Sequence, residues 1–336
     1  MSGLKSLLAM MALATLLVSC HSDEVEKHQY SRNQILNVAS SMKVMDLGDD
    51  FPMGSSTRLT VDGDFLIFKD YSFANKMIHL FDKKSFRHLV STGKVGQGPG
   101  EIISLGAVYV NETRDKLYVS DLGHYCVYSY DIDSLMADPD YLPYVRYRLD
   151  KSLFPASFIY LSDTLSYGTF IQPIDNKTIK RITGKWNMKT GEVKLMEYLQ
   201  PDVKDKQTNI AYSRLHDTLV EGHGRADLIS IFDGDLNLKH NVYGPNWNDG
   251  DKKLLSFWPL VTYKNYIIAA YAGFDYSESR LPTKLHVFKL NGDYVKTLET
   301  GHQIHYLSAD EDENRLYFSL YDVIQFAYLD MKGILN

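Results

Sequence analysis

The strongest constraint on the fold is a strand ending that recurs along the chain. In each copy an aromatic or apolar run is followed at once by a polar turn, and the turns begin at Asp82, Asp131, Asn187, Asp233, Asn291 and Asp330. The first and last turns are 248 residues apart, so the six copies have a mean spacing of about 50 residues. Periods of roughly 40–50 residues with four strands each are typical of propeller blades. The spacing therefore predicts six blades.

A second marker lies about fifteen residues before each copy of the first. It is a polar hairpin turn followed by a short apolar strand, as where residues 62–64 precede 65–68 and residues 114–115 precede 116–119. The third and fourth units are the least regular. Long helical periodicity is missing after the first 42 residues. We therefore predict an all-β fold, a six-bladed β-propeller over residues 43–336.

The two ends of the repeat array complement each other. The sixth unit has patterns for three strands, near residues 304–309, 315–320 and 323–329, and then the chain nearly stops. A strand pattern over residues 43–47 is left unassigned ahead of the first unit. We expect this N-terminal strand to complete the last blade, because a three-stranded blade would leave an unpaired edge.

The first twenty residues resemble a bacterial lipoprotein signal peptide. Lys5 supplies a positive charge, and the uncharged run over residues 7–18 suits a signal-peptide core but is too short to span a membrane. Residues 17–20, Leu-Val-Ser-Cys, resemble a lipobox. This resemblance implies that residues 1–19 are removed and that Cys20 carries lipid. An ordinary secretory signal is the alternative.

The segment that follows the lipobox is polar. Residues 20–42 are predicted to be a lipidated tether between the membrane and the propeller. Acidic Asp23 and Glu24 resemble a surface-export signal of one phylum of Gram-negative gut bacteria. We expect an outer-membrane lipoprotein at the cell surface, with the periplasm-facing side as the alternative. The other cysteine, Cys126, lies in an apolar-aromatic run and is expected to be a buried small hydrophobe.

One stretch matches a known repeat closely. It combines the glycine-rich loop at residues 93–101, the strand end Tyr-Val-Ser-Asp at 118–121 and the closing Tyr-Asp at 130–131. Over residues 89–131 it resembles an NHL-type propeller repeat. Together with the lipobox, the chain resembles the TolB-like six-bladed propeller lipoproteins of Gram-negative gut bacteria. That resemblance implies a fold rather than a defined activity.

Polar residues on the predicted loops supply the candidate ligand site. In a propeller, the blade-to-blade loops and the loops after each second strand open on the same face. The residues that we expect to ring the channel mouth on that face and bind a ligand are Asp70, Gln97, Glu101, Asp121, His223 and Tyr321. The alternative is that they are ordinary capping groups of loops. A nucleotide-binding role for the glycine-rich loop is disfavoured, since such loops open a helix and this one leads into a strand.

Charge restricts the class of partner. Lysine and arginine total 36 and aspartate and glutamate total 42, which gives a net charge of -6. The sequence shows no basic stripe, so a nucleic-acid partner is not expected. Lysine and arginine are also not concentrated among the predicted mouth residues, which disfavours an anionic polymer.

The combined prediction is a lipid-anchored binding module rather than an enzyme. Its partner would be another protein or a small polar ligand such as a glycan, and no cofactor is expected. The alternative is a metal-dependent hydrolase or lyase with calcium in the channel. That chemistry needs several carboxylates converging on the axis. Asp70 and Asp121 are suitably placed in the predicted topology, but the sequence shows no third carboxylate at an equivalent position.

Overall fold

The structure, a computed structural model, describes residues 25–48, 53–72, 75–175, 177–201, 203, 207–247, 254–278 and 280–335. These residues form six antiparallel sheets that follow one another along the chain and close into a ring. The prediction of a six-bladed β-propeller is confirmed. The proposed signal peptide and Cys20 lie outside the described residues. Within the described ranges, no helix has the length and apolar character needed to cross a membrane.

Three short strands precede the first blade: β1 (Glu26–His28), β2 (Ile35–Asn37) and β3 (Met42–Val44). Blade one contains β4 (Arg58–Asp62), β5 (Phe65–Lys69), β6 (Lys76–Asp82) and β7 (His88–Lys94); blade two contains β8 (Leu105–Val110), β9 (Lys116–Asp121), β10 (Cys126–Asp131) and β11 (Tyr144–Arg148). Blade three contains β12 (Phe154–Ser162), β13 (Leu165–Pro173), β14 (Ile179–Trp186) and β15 (Val193–Leu195); blade four contains β16 (Thr208–Ser213), β17 (Thr218–His223), β18 (Leu228–Asp233) and β19 (Leu238–Tyr243). Blade five contains β20 (Leu254–Tyr263), β21 (Tyr266–Asp275), β22 (Lys284–Lys289) and β23 (Tyr294–Glu299); blade six contains β24 (Ile304–Asp310), β25 (Arg315–Leu320) and β26 (Phe326–Asp330). Helix α1 (Ile132–Ala137) joins β10 to β11, and 3-10 turns occupy Ala39–Ser41 and Tyr276–Glu278.

The repeat markers coincide with the ends of the third strands. Each polar turn of the first marker begins within two residues of the end of β6, β10, β14, β18, β22 or β26. Asp131 shows why a polar residue is favoured there. Its carboxylate accepts a hydrogen bond from the Ser134 backbone N–H at 2.8 Å and so caps the start of α1.

The ring closes as the sequence predicts. Strand β3 pairs antiparallel with β26, with Val44 opposite Ala327 and Met42 opposite Leu329. Blade one then contacts blade six through β4 and β24. The backbone N–H of Leu59 donates to Ser319 Oγ at 2.8 Å, which ties the innermost strand of blade one to blade six. This pairing gives the last blade its fourth strand and leaves no open edge on β26.

The segment before β3 is more ordered than a tether. Strands β1 and β2 add parallel to the outer strands β19 and β23, so blades four and five each have five strands. Main-chain hydrogen bonds make this possible for a polar sequence, as where Asn241 N–H donates to Val25 C=O at 2.6 Å and Thr297 N–H to Gln34 C=O at 2.7 Å. Residues 25–42, which the sequence analysis placed in the tether, therefore lie on the propeller.

The core is divided among the interfaces between blades. The middle strands are buried on both faces, and in β9 the exposed fractions of Leu117, Tyr118 and Val119 are 0%, 4% and 0%. Val119 is thus fully buried. Cys126 is a free, buried cysteine in the same blade, which agrees with its expected role as a small hydrophobe.

Candidate functional site

Two predicted ligand residues, Asp70 and Asp121, instead hold loops together. Both are buried at the ends of second strands. The Asp121 carboxylate accepts backbone hydrogen bonds from Ile103 at 3.1 Å and Ser104 at 2.9 Å, in the loop that enters its own blade. It also lies 2.6 Å from His124 Nδ1. Its oxygens are therefore engaged within the fold, which is the capping role that was the alternative.

Asp70 makes the equivalent contacts in blade one. Its carboxylate accepts backbone hydrogen bonds from Ser72 at 2.8 Å and Gly54 at 3.2 Å. Burial alone would raise the pKa of this carboxyl, but the bonds from Ser72 and Gly54 outweigh burial and its pKa lies below the usual value. Asp70 is thus held ionised as a clamp between the loop that enters the blade and the loop that follows β5.

Gln97 and Glu101 lie at the outer side of the ring. Gln97 is exposed, and Glu101 folds back so that its carboxylate accepts from the Gly98 N–H at 2.8 Å. Glu101 borders a cavity of about 280 Å³ that is closed on the other side by residues 139–143 of blade two. The loop lies there because it leaves β7, the outermost strand of blade one.

His223 and Tyr321 are far apart in the ring. His223 is 1% exposed inside blade four, and its Nε2 lies 3.1 Å from Ser230 Oγ. Tyr321 is 55% exposed and lines a cavity of about 420 Å³ with Met53 and Val323. Of the six predicted residues, Asp70 and Tyr321 lie near each other through the loop at Gly54, and Gln97 and Glu101 share the loop after β7. Asp121 and His223 lie in separate blades.

A different set of side chains lies at the channel mouth. On the face where each innermost strand begins, Arg58 of β4 stands opposite Lys69 of β5 in the antiparallel register. Lys69 Nζ is 5.6 Å and Arg58 Cζ is 5.7 Å from the ring centroid of Tyr306 in β24. Arg58 Cζ is also 5.2 Å from the ring of Tyr71. With the neighbouring His305, these residues form what we call the channel-mouth cluster: Arg58, Lys69, Tyr71, His305 and Tyr306.

The cluster opens into the central channel. Tyr306 lines a cavity of about 200 Å³ enclosed by the innermost strands of blades one, three, four, five and six. Thr60 also lines this cavity and lies on the same side of β4 as Arg58, since side chains two apart on a strand share a face. Arg58 and Lys69 do not line this cavity, so the cluster meets it through Tyr306.

The cations of the cluster have no balancing charge among the residues that the structure describes. Lys69 is 8% exposed, and neither it nor Arg58 has an ion pair among the described residues. Arg58 Nε and His305 Nε2 are buried without a hydrogen-bond partner in the same part of the chain. Cation–π contacts recover part of the cost of burying the charges. A buried cation without an ion-pair partner remains costly, so the burial of Lys69 beside the partly buried Arg58 is unfavourable for stability alone.

Burial and mutual repulsion change how these groups titrate. Burial, and then the Arg58 guanidinium, lower the pKa of Lys69 to about 8. The same two causes lower the pKa of His305, although a backbone hydrogen bond with Ser56 opposes them. Burial raises the pKa of Tyr71 to about 12. Near neutral pH the cluster therefore carries two cations among neutral rings.

The expectation that lysine and arginine are not concentrated at the mouth is wrong. Arg58 and Lys69 are eleven residues apart in the sequence, and His305 joins them only because the ring closes between blades six and one. Two features of the sequence did indicate these cations. A tight hairpin centred on Gly63 fixes the register that sets 58 against 69, and Lys69 is a charge at the end of an otherwise apolar strand.

The geometry gives the metal-dependent alternative little support. Across the described ranges, no group of three or more His, Cys, Asp or Glu side chains is placed to hold a metal ion. Asp70 and Asp121, the carboxylates expected to face the axis, are bonded to backbone N–H groups. The mouth carries positive charge, which repels a divalent cation.

Comparison with known proteins supports the fold. No protein-family model and no curated protein sequence matches this chain. Among solved structures, a protein of Bacteroides fragilis described as exported shares 12% identity at a TM-score of 0.56, covering 88% of each chain. A DUF4221 family member from Bacteroides vulgatus shares 13% identity at 0.56, covering 86% of this chain and 94% of its own. The calcium-binding protein regucalcin of Agrobacterium tumefaciens shares 11% identity at 0.56, covering 88% and 95%. At these identities the likeness concerns the propeller fold alone.

Proposed function

We propose that this protein is an exported, lipid-anchored binding propeller that takes a small polar ligand at its channel-mouth cluster. The observation that carries the proposal is the buried, unneutralised Lys69 beside Arg58. Ligand sites are typically concave and contain converging polar groups that lack hydrogen-bond or ion-pair partners within the protein. Ligand binding is supported indirectly by residues that stiffen loops and strands, namely Asp70, Asp121 and His223.

The size of the site favours a small ligand over a protein segment. The cavity that Tyr306 lines measures about 200 Å³. Pockets for drug-sized molecules are roughly 300–1,000 Å³. A compact molecule of one ring fits this space, whereas a polymer would have to remain outside the channel.

Export and anchoring rest on the N-terminal sequence. The lipobox-like residues 17–20 support lipid attachment at Cys20, and the fold is shared with a Bacteroides protein described as exported. Residue 25, the first one described, lies against blade four. A lipid on Cys20 would therefore hold the side of the ring at blade four within a few residues of the membrane, with the channel mouth free to meet ligands.

The location of the site is tested with two matched arginine variants. Arg58 and Arg315 both lie over tyrosine rings, Arg315 Cζ at 4.7 Å from the Tyr328 ring, but Arg315 begins β25 on the opposite face. The purified protein is screened by thermal shift against neutral and acidic monosaccharides, amino acids, dicarboxylates and calcium. Arg58→Ala should abolish the stabilisation by any hit, and Arg315→Ala should retain it. A hit that survives in Arg58→Ala would place the ligand site elsewhere, and stoichiometric calcium binding would favour the hydrolase alternative.

A further inference from the structure

We infer that the ligand of the channel-mouth cluster is a small carboxylate carried on a compact polar ring, of the chemical class of a hexuronic acid. This inference rests on the proposed function and specifies its ligand.

The positive charge of the channel-mouth cluster favours an anionic ligand. Arg58 and Lys69 are adjacent cations, and the nearest carboxylate along the chain, Asp70, already accepts hydrogen bonds from Ser72 and Gly54. Lys69 is more than nine-tenths buried, so most of its side chain is shielded from water. A bound anion would supply the missing partner and turn an unfavourable burial into a charge-assisted hydrogen bond.

The available donors match a carboxylate. Arg58 Nε is buried and unpaired, and a guanidinium presents Nε and Nη donors in a planar fork that fits two carboxylate oxygens. Lys69 adds a point charge from the neighbouring strand. His305 Nε2 is also buried and without a hydrogen-bond partner among the described residues, which adds a further polar atom beside the two cations.

A phosphate is a weaker candidate for the same cations. Most phosphate sites combine cations with successive backbone N–H groups, at the N-terminus of a helix or in a backbone nest. The channel-mouth cluster offers side-chain donors, carried by β4, β5 and β24. The lowered pKa of Lys69 also limits the charge that the site holds above neutral pH, which suits a monoanion better than a dianion.

The probes are D-glucuronate, its neutral methyl ester, D-glucose and glucose 6-phosphate, each titrated calorimetrically into the full mature protein near pH 7. Glucuronate should bind, and the methyl ester and glucose should bind at least tenfold more weakly. Lys69→Met should weaken glucuronate binding at least tenfold, and Arg58→Lys, which keeps the charge but loses the fork, should weaken it by a smaller factor. The control is Lys264→Met. Lys264 Nζ also lies over a tyrosine ring, at 5.3 Å from Tyr263, but on the opposite face, and this variant should bind as wild type does.

The outcomes separate this inference from the proposed function. Equal binding of glucose and glucuronate, or no binding by any of the four probes, would overturn the carboxylate assignment, and the channel-mouth site itself would still be judged by the arginine variants. Tighter binding of glucose 6-phosphate than of glucuronate would identify a phosphate site instead. Circular dichroism and melting temperature show whether Lys69→Met is folded, and Arg58→Lys provides a second variant if it is not.

Discussion

Arg58 and Lys69 face each other across the first hairpin of blade one, and no carboxylate in the described part of the chain neutralises either of them. The turn between β6 and β7 of the same blade offers a contrast. Lys83 is equally buried, but its Nζ lies 3.0 Å from the Asp310 carboxylate of blade six. The protein thus has one buried lysine with a structural partner and one without, and the two should respond to substitution in opposite ways.

Replacing each of these lysines by methionine should change stability with opposite sign. Lys69→Met removes a buried charge whose pKa is lowered from 10.5 to about 8, which corresponds to a gain of up to about 3 kcal/mol in the free energy of unfolding at neutral pH. Lys83→Met leaves Asp310 buried without its partner and should lose about 3–5 kcal/mol. Urea denaturation of both variants measures this. A loss of stability in Lys69→Met would mean that the ammonium has a structural role.

The stability of the wild type should depend on pH through Lys69. Its pKa is about 8 in the folded state and 10.5 ordinarily, so between these values the unfolded chain binds more protons and the folded state gains stability as pH rises. The groups around it are Arg58, Tyr71, His305 and Tyr306, and none of these is expected to change charge in the lower part of that window. Urea titrations from pH 7 to 10 should show the gain in wild type and a smaller one in Lys69→Met. If the free energy of unfolding changed with pH equally in the wild type and in Lys69→Met, the pH dependence would not come from Lys69.

Arg32 should be needed to hold the N-terminal segment on the ring. Its Nη1 lies 2.7 Å from the Asp227 carboxylate, with side-chain exposures of 5% and 0%, and its guanidinium lies 5.1 Å from the Phe288 ring. Arg32→Ala leaves a buried carboxylate unpaired and should cost about 3–5 kcal/mol. The control is Arg280→Ala, which removes an exposed pair with Glu278 and should cost no more than about 1 kcal/mol. Equal melting temperatures of the two variants would show that β1 and β2 add little to the fold.

The fold was predictable because its determinants are local. Hairpin turns, apolar alternation and the polar residue after each third strand recur in the sequence at the right spacing, and the missing strand of blade six identified β3 as its replacement. Strands β1 and β2 were not predictable in this way. They are only three residues long and show no alternating pattern, and they form because blades four and five offer open edges.

The channel-mouth cluster was not predictable from loop positions. The predicted site consisted largely of polar residues at strand ends. In the structure, the carboxylates of Asp70 and Asp121 at such positions accept hydrogen bonds from loop backbones. Arg58 begins β4 and Lys69 ends β5, whereas His305 and Tyr306 of β24 come from the other end of the chain. Their proximity depends on hairpin register and ring closure together, and no single local motif contains both.

Lipid attachment should depend on Cys20. Labelled palmitate should enter the wild-type protein, and Cys20→Ala should abolish the label and leave unprocessed or soluble protein. Protease treatment of intact cells then distinguishes the cell surface from the periplasm. Label that persists in Cys20→Ala would show that the lipobox interpretation is wrong.

The measurement that tests the account most directly is an experimental structure of the protein purified from its native envelope in buffers free of carboxylate and phosphate. The account predicts an ordered organic anion at the channel-mouth cluster, with oxygens within hydrogen-bond distance of Arg58 Nε and Lys69 Nζ. Water alone at these atoms, with a ligand bound on the opposite face near residues 310–314, would contradict it.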